Sequence, residues 1–537
     1  QGEGEGPRMG REEVKKDEAI PNEARLREAL RKNRFCRGIK RGNRYVCGDG
    51  ADENAIDKAV ELLTKAVYRM LKWQIWDPWW IDKHREDWLM TRTNVREVLR
   101  DKYNNKVIDG IIGSIDEFIK YMDKFKTYWL RNKVGDEIKR LIEDLMNGKA
   151  KVIIWNNEAG ISIHGKNITL KVDRAINGIT VQLMFKRLRG ITVKVLDVFR
   201  MVMNKEEYTK FVNELLVALR CGFAETDEGI DEGRPIMGTT HVWQAIVWPL
   251  LYPGETHICI KAINVNESNI TIQWHLRSNE YYSFKSLFFR YIEKFSKEAL
   301  LLFMFTAILG DGSVFIHNNK AVVKIVMSSK KFNMWRPILD KLWDMGFKWR
   351  KWPPSNNPNN NKNKKVEIRF HSGYATDLVK SIISTLPSIL RDLLNALNFE
   401  KWNNMKQIAS MEPKRRVDKI QVNVTGYKFT VNISSGTLNL THNVKDKAEI
   451  DKVCEALKAR YGNEFRINIR RSNRYLIIAI PANVIEKYDE IKRKVVEALC
   501  RKLEETKNER KRQRIIKALR RLTPTEGAAA AIEVTPA

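Results

Sequence analysis

The residue with the clearest chemical potential in this sequence is Asp311, which follows an apolar run over residues 300–309 and stands between two glycines. The run has the length and composition of a buried helix. The carboxylate would then lie at the negative end of the helix dipole, where a negative charge is unfavourable. A divalent cation would compensate for this cost, because such ions prefer oxygen ligands. The sequence therefore predicts a carboxylate placed for chemistry rather than for stability.

Two small residues near the end of the same run, Thr306 and Gly310, predict how this helix packs. Residues four apart share one face of a helix. Small residues on that face allow a second helix to approach closely. We therefore expect a partner helix beside this one, with the carboxylate at the end of their contact.

Residues 308–313, Ile-Leu-Gly-Asp-Gly-Ser, resemble the signature of the LAGLIDADG homing-endonuclease family. On this resemblance, Thr306 and Gly310 take the helix-contact positions and Asp311 takes the metal-binding position. The segment after residue 313 resembles the half-domain of that family: a hairpin, a middle helix, a second hairpin and a closing helix. These elements are predicted at 314–317 and 321–327, 331–345, 347–351 and 366–370, and 373–397 with a break at Pro387.

The family needs two such helices, and a second one is predicted upstream, within residues 219–229. Gly222 and Thr226 repeat the four-residue spacing, and Asp227 precedes Asp311 by 84 residues, the length of one half-domain. A short strand ending at residues 239–240 comes next. The remaining elements of this half are predicted as a helix at 241–251, strands at 257–265 and 270–276, and a helix at 281–297.

This second copy departs from the pattern. Arg220 interrupts the apolar stripe, Glu228 stands where glycine is expected, and the first hairpin is predicted to lack one strand. The alternative interpretation is an ordinary amphipathic helix followed by an acidic loop. We therefore describe residues 201–297 as a degenerate half.

The resemblance implies a metal site and a binding surface. Asp227 and Asp311 would be the catalytic residues and would ligate Mg²⁺ at the seam between the helices, where the cation activates water for phosphodiester hydrolysis. Active members also carry a lysine or glutamine near the metals, which the sequence does not identify here. Two twisted sheets would form a saddle on DNA. The basic residues expected to face it are Lys324, Lys348, Arg350, Lys351 and Arg369, with solvent-facing strand residues as the alternative.

The composition favours a polyanionic partner. The formal net charge is +30 and the sequence pI is about 9.7. Nucleic acid is the commonest ligand of such a surface, DNA before RNA on the resemblance, and a merely well-solvated surface is the alternative. No apolar stretch is long enough to span a membrane, and the first residues do not resemble a secretory signal, so we expect a cytoplasmic protein without a membrane partner. Internal repetition of the half-domain predicts a monomer with pseudo-twofold symmetry.

Six cysteines occur without any close pair, which predicts free thiols rather than a zinc site or a disulfide framework. Cys36 and Cys47 flank a predicted turn and are the one pair that the chain could bring together. A tryptophan cluster comes later in the sequence, where base stacking and core packing are both open. Its members are Trp73, Trp76, Trp79, Trp80 and Trp88.

We predict an α+β fold in which two pseudo-symmetric LAGLIDADG-like halves are flanked by other units. The predicted segments are a helical N-terminal region (1–150), an antiparallel β unit (151–200), the degenerate half (201–297), the second half (298–412), an α+β module with a basic C-terminal helix (413–521) and a disordered tail (522–537). A flexible DNA-contacting insertion, or a simple disordered loop, is predicted at 353–365.

The chain as a whole resembles the PaRep paralogous-repeat proteins of hyperthermophilic archaea. The sequence leaves three hypotheses for the function. The first is an Mg²⁺-dependent DNA endonuclease, and the second is a protein that binds DNA or RNA on the same saddle without cleaving it. The third is a structural interaction protein whose charge only solubilises it. We favour binding without cleavage, because one of the two signatures is eroded.

Overall fold

The structure, a computed structural model, is α+β and divides into two compact units, Gln1–Pro413 and Lys414–Ala537. It describes residues 23–39, 44–47, 53–155, 160–175, 178–280, 291, 293–352, 365–412, 420–434, 437–444, 446–471, 476–506 and 509–523. Most of the predicted helix at 281–297, the predicted insertion at 353–365 except its last residue and most of the predicted tail lie outside these residues. No helix among the described residues combines the length and apolar character needed to cross a membrane.

Five helices open the first unit: α1 (Glu23–Lys32), α2 (Glu53–Trp73), α3 (Trp79–Arg100), α4 (Asn105–Arg131) and α5 (Val134–Met146). Asn104 caps α4 by accepting a hydrogen bond of 3.1 Å from the backbone N–H of Val107. Trp80 and Trp88 are each only 1% exposed. Trp88 stacks on Phe118 with ring centroids 4.4 Å apart. Core packing is therefore the correct interpretation for these two tryptophans.

The large sheet of the first unit collects strands from distant parts of the chain. Its members are β1 (Arg34–Ile39), β2 (Arg44–Cys47), β3 (Lys151–Trp155), β4 (Gly160–His164), β5 (Ile168–Ala175), β6 (Gly178–Phe185), β7 (Ile191–Val195), β8 (Glu228–Asp231), β9 (Arg234–Thr239), β10 (Gly254–Val265) and β11 (Ile270–Ser278). The order is β2-β1-β3-β4-β5-β6-β10-β11-β9-β8, and β7 pairs with β10 beside β6. Strands β3–β7, predicted as a unit of their own, are thus hydrogen-bonded into the sheet of the following segment.

One cysteine prediction was wrong. Cys36 and Cys47 are direct partners in the antiparallel β1–β2 register, and the structure joins them in a disulfide. The sequence pattern favoured free thiols because the two residues do not form a close pair along the chain. The remaining four cysteines, at positions 221, 259, 454 and 500, are free.

The segment after β7 contains several short helices. These are α6 (Val198–Val202), α7 (Lys205–Lys210), a π-helical turn (Phe211–Leu215), α8 (Leu216–Ala224) and α9 (Val242–Leu250). Among them, α8 covers the predicted helix before Asp227. Strands β8 and β9 form a complete first hairpin after α8. The predicted loss of one strand was therefore wrong. The four-residue strand β8 carries two acidic residues, which hid it from a pattern search.

A second set of elements comes next, and its sheet is separate. It consists of α10 (Lys297–Asp311), β12 (Gly312–His317), β13 (Lys320–Ser328), α11 (Ser329–Met334), α12 (Arg336–Asp344), β14 (Trp349–Trp352), β15 (Lys365–His371), α13 (Gly373–Thr385), α14 (Ser388–Leu397) and α15 (Glu400–Ser410). The strand order is β12-β13-β15-β14. The strands β8-β9-β11-β10 have the same connectivity, with α9 between the two hairpins where the second set has α11 and α12.

The second unit has its own sheet and its own apolar core. Its elements are β16 (Gln421–Val424), β17 (Tyr427–Ile433), β18 (Leu438–Val444), α16 (Lys447–Tyr461), β19 (Asn468–Arg471), β20 (Leu476–Pro481), α17 (Ala482–Lys487), α18 (Asp489–Glu505) and α19 (Glu509–Leu522). The sheet order is β16-β17-β18-β20-β19. The basic helix α19 buries Ile515, Leu519 and Leu522 and exposes Arg510, Arg514 and Lys517. Its apolar stripe and basic face explain why it forms an amphipathic helix.

Candidate site at the helix seam

Helices α8 and α10 pack against each other through the small residues that the spacing singled out. A Cβ added to Gly222 would overlap Thr306 Oγ1 and the carbonyl oxygen of Phe303. A Cβ added to Gly310 would overlap Thr226 Oγ1 and lie 3.4 Å from the carboxyl carbon of Asp227. Gly222 thus contacts Thr306 of α10, and Gly310 contacts Thr226, which lies just after the end of α8. The structure brings all four residues together and places Asp227 beside the end of α10.

The local sequence explains why both helices tolerate this contact. Ser296 caps α10 by accepting from the backbone N–H of Ala299 at 3.2 Å. Every residue from 299 to 309 is buried, and Thr306 is 1% exposed. Its hydroxyl donates to the Phe303 carbonyl at 3.3 Å, and the Thr226 hydroxyl donates to the Gly222 carbonyl at 2.9 Å. Each hydroxyl therefore finds a partner in the preceding turn of its own helix, so its burial carries little desolvation penalty.

Asp311 ends α10 and interacts with a lysine. Lys331 Nζ lies 3.8 Å from Asp311 Oδ2, and the Asp311 side chain is 41% exposed. Lys331 comes from α11 and also donates to the backbone carbonyl of Glu225, just after α8. This one ammonium group therefore contacts the ends of both seam helices.

A second lysine, Lys401 at the start of α15, caps the C-terminus of α10. Its Nζ donates to the carbonyls of Ile308 at 3.1 Å, Leu309 at 2.7 Å and Gly310 at 3.2 Å. An ammonium group has three N–H donors, so these bonds use its full capacity. Burial lowers the pKa of Lys401, while the charges of Asp227 and Asp311 oppose that shift. Sequence analysis missed this residue because no local pattern links position 401 to position 311.

Asp227 is held by an amide. Gln244 Nε2 donates to Asp227 Oδ2 at 2.7 Å, and the Thr239 hydroxyl donates to Gln244 Oε1 at 2.6 Å. These groups open onto a cleft of about 560 Å³ that Lys401 also lines. His241 lines the same cleft, and its pKa is lowered first by burial and then by the charge of Lys401. Gln244 and Lys401 thus lie near Asp227, and neither residue was identified from the sequence.

The residues of the degenerate half that depart from the family pattern have partners in the structure. Glu228, where glycine was expected, accepts hydrogen bonds from Trp248 Nε1 at 2.9 Å and the Tyr252 hydroxyl at 2.8 Å. Burial, followed by the charge of Glu228, raises the pKa of Tyr252. Arg220 pairs with Glu280 at 3.1 Å. Its guanidinium also lies 4.5 Å from the centroid of the Tyr252 ring. These polar groups are therefore built into a buried network.

The seam residues fit a divalent cation poorly. Mg²⁺ is usually bound by one or two carboxylates together with phosphates and water, so Asp227 and Asp311 suffice in number. Their surroundings are unsuitable, because the ammonium groups of Lys331 and Lys401 already lie against the same helix ends. Within the described part of the chain, no cluster of three or more His, Cys, Asp or Glu residues could hold a metal ion.

The structure separates the five basic candidates into two groups. Lys324, Arg369 and Arg350 are register partners on the adjacent strands β13, β15 and β14 and form one row across the sheet. Lys351 comes directly after Arg350 in the strand and therefore points to the opposite face. There its Nζ lies 4.9 Å from the centroid of the Phe332 ring. Lys348, which precedes β14, lies 5.8 Å from the centroid of the Trp343 ring. Neither Lys348 nor Lys351 belongs to the row.

Aromatic rings and one carboxylate accompany the basic row. The Arg369 guanidinium lies 5.0 Å from the centroid of the Trp352 ring, and Lys324 Nζ lies 5.7 Å from that of Phe315. Glu367, at 9% exposure, accepts from Arg369 Nε at 2.8 Å. Burial lowers the pKa of His371, and the positive charges around it lower it further. The open face of this sheet is therefore cationic.

The corresponding face of the first half mixes cations with neutral polar groups, and Lys261 lies beside Cys259 and His275. His257 and Cys259 on β10 face Arg277 and His275 on β11. Arg277 is paired with Asp231 at 3.5 Å. Amide groups continue the face, since Gln182 Nε2 donates to Asn264 at 2.8 Å and to Gln273 at 3.2 Å. Imidazoles and amides thus predominate here.

A scan against protein-family models and a search of curated proteins found no match to this chain. The interpretation of the site therefore rests on its residues and their geometry.

Proposed function

We propose that this protein binds double-stranded nucleic acid, with DNA as the first candidate, on the open faces of the two four-strand arrays that leave the seam. One array is β12-β13-β15-β14 and the other is β8-β9-β11-β10. The observation that carries the proposal is the row formed by Lys324, Arg369 and Arg350, flanked by Phe315 and Trp352. Cations spaced along a sheet contact phosphates, and side chains of a sheet face can enter a groove.

The repeated architecture supports a LAGLIDADG-like core with a pseudo-twofold axis along the seam. Helix α10 runs directly into β12, and only residues 225–227 separate α8 from β8, so both arrays begin at the helix contact. A DNA duplex has its own approximate twofold symmetry, which two related sheets within one chain can match. The proposal therefore needs only a monomer.

Binding without cleavage is favoured over an endonuclease. The carboxylate of Asp311 contacts Lys331, and that of Asp227 accepts from Gln244. Lys401 donates all three of its protons to carbonyls, so it has no donor left for a reacting group. The side chains that would act in hydrolysis therefore already have partners within the protein.

The proposal is tested by measuring DNA affinity as a function of salt. We expect the affinity to fall steeply with salt, as it does when phosphate contacts release counterions. The variant Lys324→Ala/Arg350→Ala/Arg369→Ala should lower affinity more than about tenfold and reduce the salt slope by about one for each residue removed. Lys348→Ala/Lys351→Ala is the matched control, since it removes two basic residues of the same half that lie outside the row. Equal losses in both variants, or no salt-dependent binding by the wild type, would contradict the proposal. Duplex RNA is tested in parallel to identify the preferred nucleic acid.

Mg²⁺-dependent cleavage is the second candidate, and the approach of Asp227 to the end of α10 favours it. It predicts that the wild type nicks a supercoiled plasmid with Mg²⁺ or Mn²⁺ and that Asp311→Asn does not. Such a result would replace the binding-only proposal. Retained binding without metal-dependent nicking would remove the endonuclease.

A further inference from the structure

A positive charge at the end of α10 can stabilise several oxygen atoms at once. The carbonyls of residues 308–310 belong to the last turn of the helix, where the Ile308 carbonyl also accepts from the backbone N–H of Gly312, and Asp311 adds a full negative charge. Lys401 Nζ meets these three carbonyls at 2.7–3.2 Å. A bound cation and a capping ammonium group would act on the same oxygen atoms.

The acidic residues around the end of α10 also have hydrogen-bond or ion-pair partners within the protein. Lys331 contacts Asp311, and Gln244 donates to Asp227. Trp335 Nε1 donates to Glu225 Oε2 at 3.2 Å. Glu228 is held by Trp248 and Tyr252. A donor side chain from a neighbouring element therefore reaches every acidic residue at the ends of both seam helices.

We infer that the ammonium groups of Lys401 and Lys331 together take the place of a divalent cation at the seam, so that the two helix ends are held and balanced without a metal. Two lysines carry the charge of one such cation, opposite the two carboxylates Asp227 and Asp311. In this arrangement Lys401 is a positioning residue. It fixes the end of α10, and with it the start of β12, through its three hydrogen bonds. The inference does not depend on nucleic-acid binding.

The first measurement needs only the wild-type chain. Its thermal unfolding midpoint is compared in EDTA and with added Mg²⁺, Mn²⁺ or Ca²⁺. A ligand that binds only the folded state raises the midpoint. We expect no change for the wild type, because the cation position is already filled. A saturable rise that disappears in Asp311→Asn would overturn the inference.

The second measurement asks for a gain of cation binding. Lys401→Met keeps the length of the side chain but removes its charge and its three donors. We expect a lower midpoint in EDTA and a partial recovery with Ca²⁺ or Mn²⁺, since the freed carbonyls and carboxylates are oxygen ligands. The double variant Lys401→Met/Asp311→Asn should lose that recovery. Failure of the cations to stabilise a folded Lys401→Met chain would also contradict the inference.

The control is Lys341→Met. Lys341 also donates to a backbone carbonyl, that of Glu293 at 2.8 Å, but it does so away from the seam. Its replacement should leave the chain insensitive to cations. If Lys401→Met does not fold, Lys401→Arg, which keeps the charge, should fold and remain insensitive, and the wild-type titration still decides. No nucleic acid is present in these assays, so their outcome is separate from that of the binding proposal.

Discussion

The two halves around the seam share one order of elements, yet their sheets have different surroundings. In the first half, β10 continues sideways into β6 and β7, and the array becomes part of an 11-stranded sheet. In the second half, β14 is a four-residue strand at the margin of a four-stranded sheet. The exposed face is cationic in the second half and rich in imidazoles and amides in the first. The contact between the helices involves both halves alike, whereas the two sheets differ in their neighbouring strands and in the groups on their exposed faces.

The largest expected effect comes from breaking what the halves share. Gly222→Ala and Gly310→Ala each place a methyl group against a threonine of the other helix. The neighbours are backbone atoms of α10 at Gly222 and the β-carbon of the short Thr226 side chain at Gly310, so we expect each variant to cost about 2–3 kcal/mol of unfolding free energy. Urea denaturation measures this. Gly113→Ala is the control, since that glycine is in α4 with open space around its Cβ position. It should stabilise the protein by about 0.5–1 kcal/mol. A seam glycine as tolerant as Gly113 would show that the helices do not meet as described.

A smaller effect is expected on DNA binding, and it tests the difference in charge between the exposed faces of the two halves. Arg369→Ala should weaken DNA binding by about tenfold, because Arg369 lies at the centre of the basic row. Arg277→Ala should weaken it by less than about threefold, because Arg277 stands among imidazole and amide groups rather than in a row of cations. Binding isotherms at one fixed salt concentration compare the two. A larger loss for Arg277→Ala would reverse the assignment of the principal contact surface.

The smallest effect concerns acid sensitivity, which should be concentrated in the first half. Burial is the main cause that lowers the pKa values of His84, His257 and His275, which lie on or against its sheet. In the unfolded chain these groups titrate near 6.5. As the pH falls below that value, the unfolded state takes up protons that the folded state resists, so the unfolding free energy decreases. The stabilisation is complete above the unfolded pKa and is lost as the pH falls toward the folded values.

Urea unfolding at about pH 7.5 and about pH 5.5 measures this loss. His84→Gln offers a control, because an amide can still donate to the Ile270 carbonyl that His84 Nε2 reaches at 2.8 Å. We expect this variant to be less sensitive to acid than the wild type. Identical pH dependence of the two would assign the effect to other groups.

The local elements of the second half were predictable, whereas long-range pairing was not. The period-two pattern predicted a strand at 366–370, and the structure has Lys365–His371, because alternating burial leaves a local trace. The four-residue spacing of small residues likewise identified Gly222, Thr226, Thr306 and Gly310, because helix periodicity is also visible in the local sequence. In contrast, neither the pairing of β6 with β10 nor the position of Lys401 has a local signal, since each joins segments far apart in the chain. Lys351 follows Arg350 directly in the same strand, so the alternation of side chains places these two residues on opposite faces and both could not face DNA.

The parallel pairing of β1 with β3 has a consequence for how the chain folds. Arg34 pairs with Lys151 and Arg37 with Ile154, so the loop that this pairing closes contains helices α2 to α5. During synthesis, β1 leaves the ribosome long before β3 has been made. Until then, the edge of β1 that pairs with β3 has no strand to bind. The sheet of the second half joins only strands within residues 312–371 and can form soon after they emerge. We therefore expect the 11-stranded sheet to be the slower of the two to form, because distant pairings carry a larger loop-closure cost.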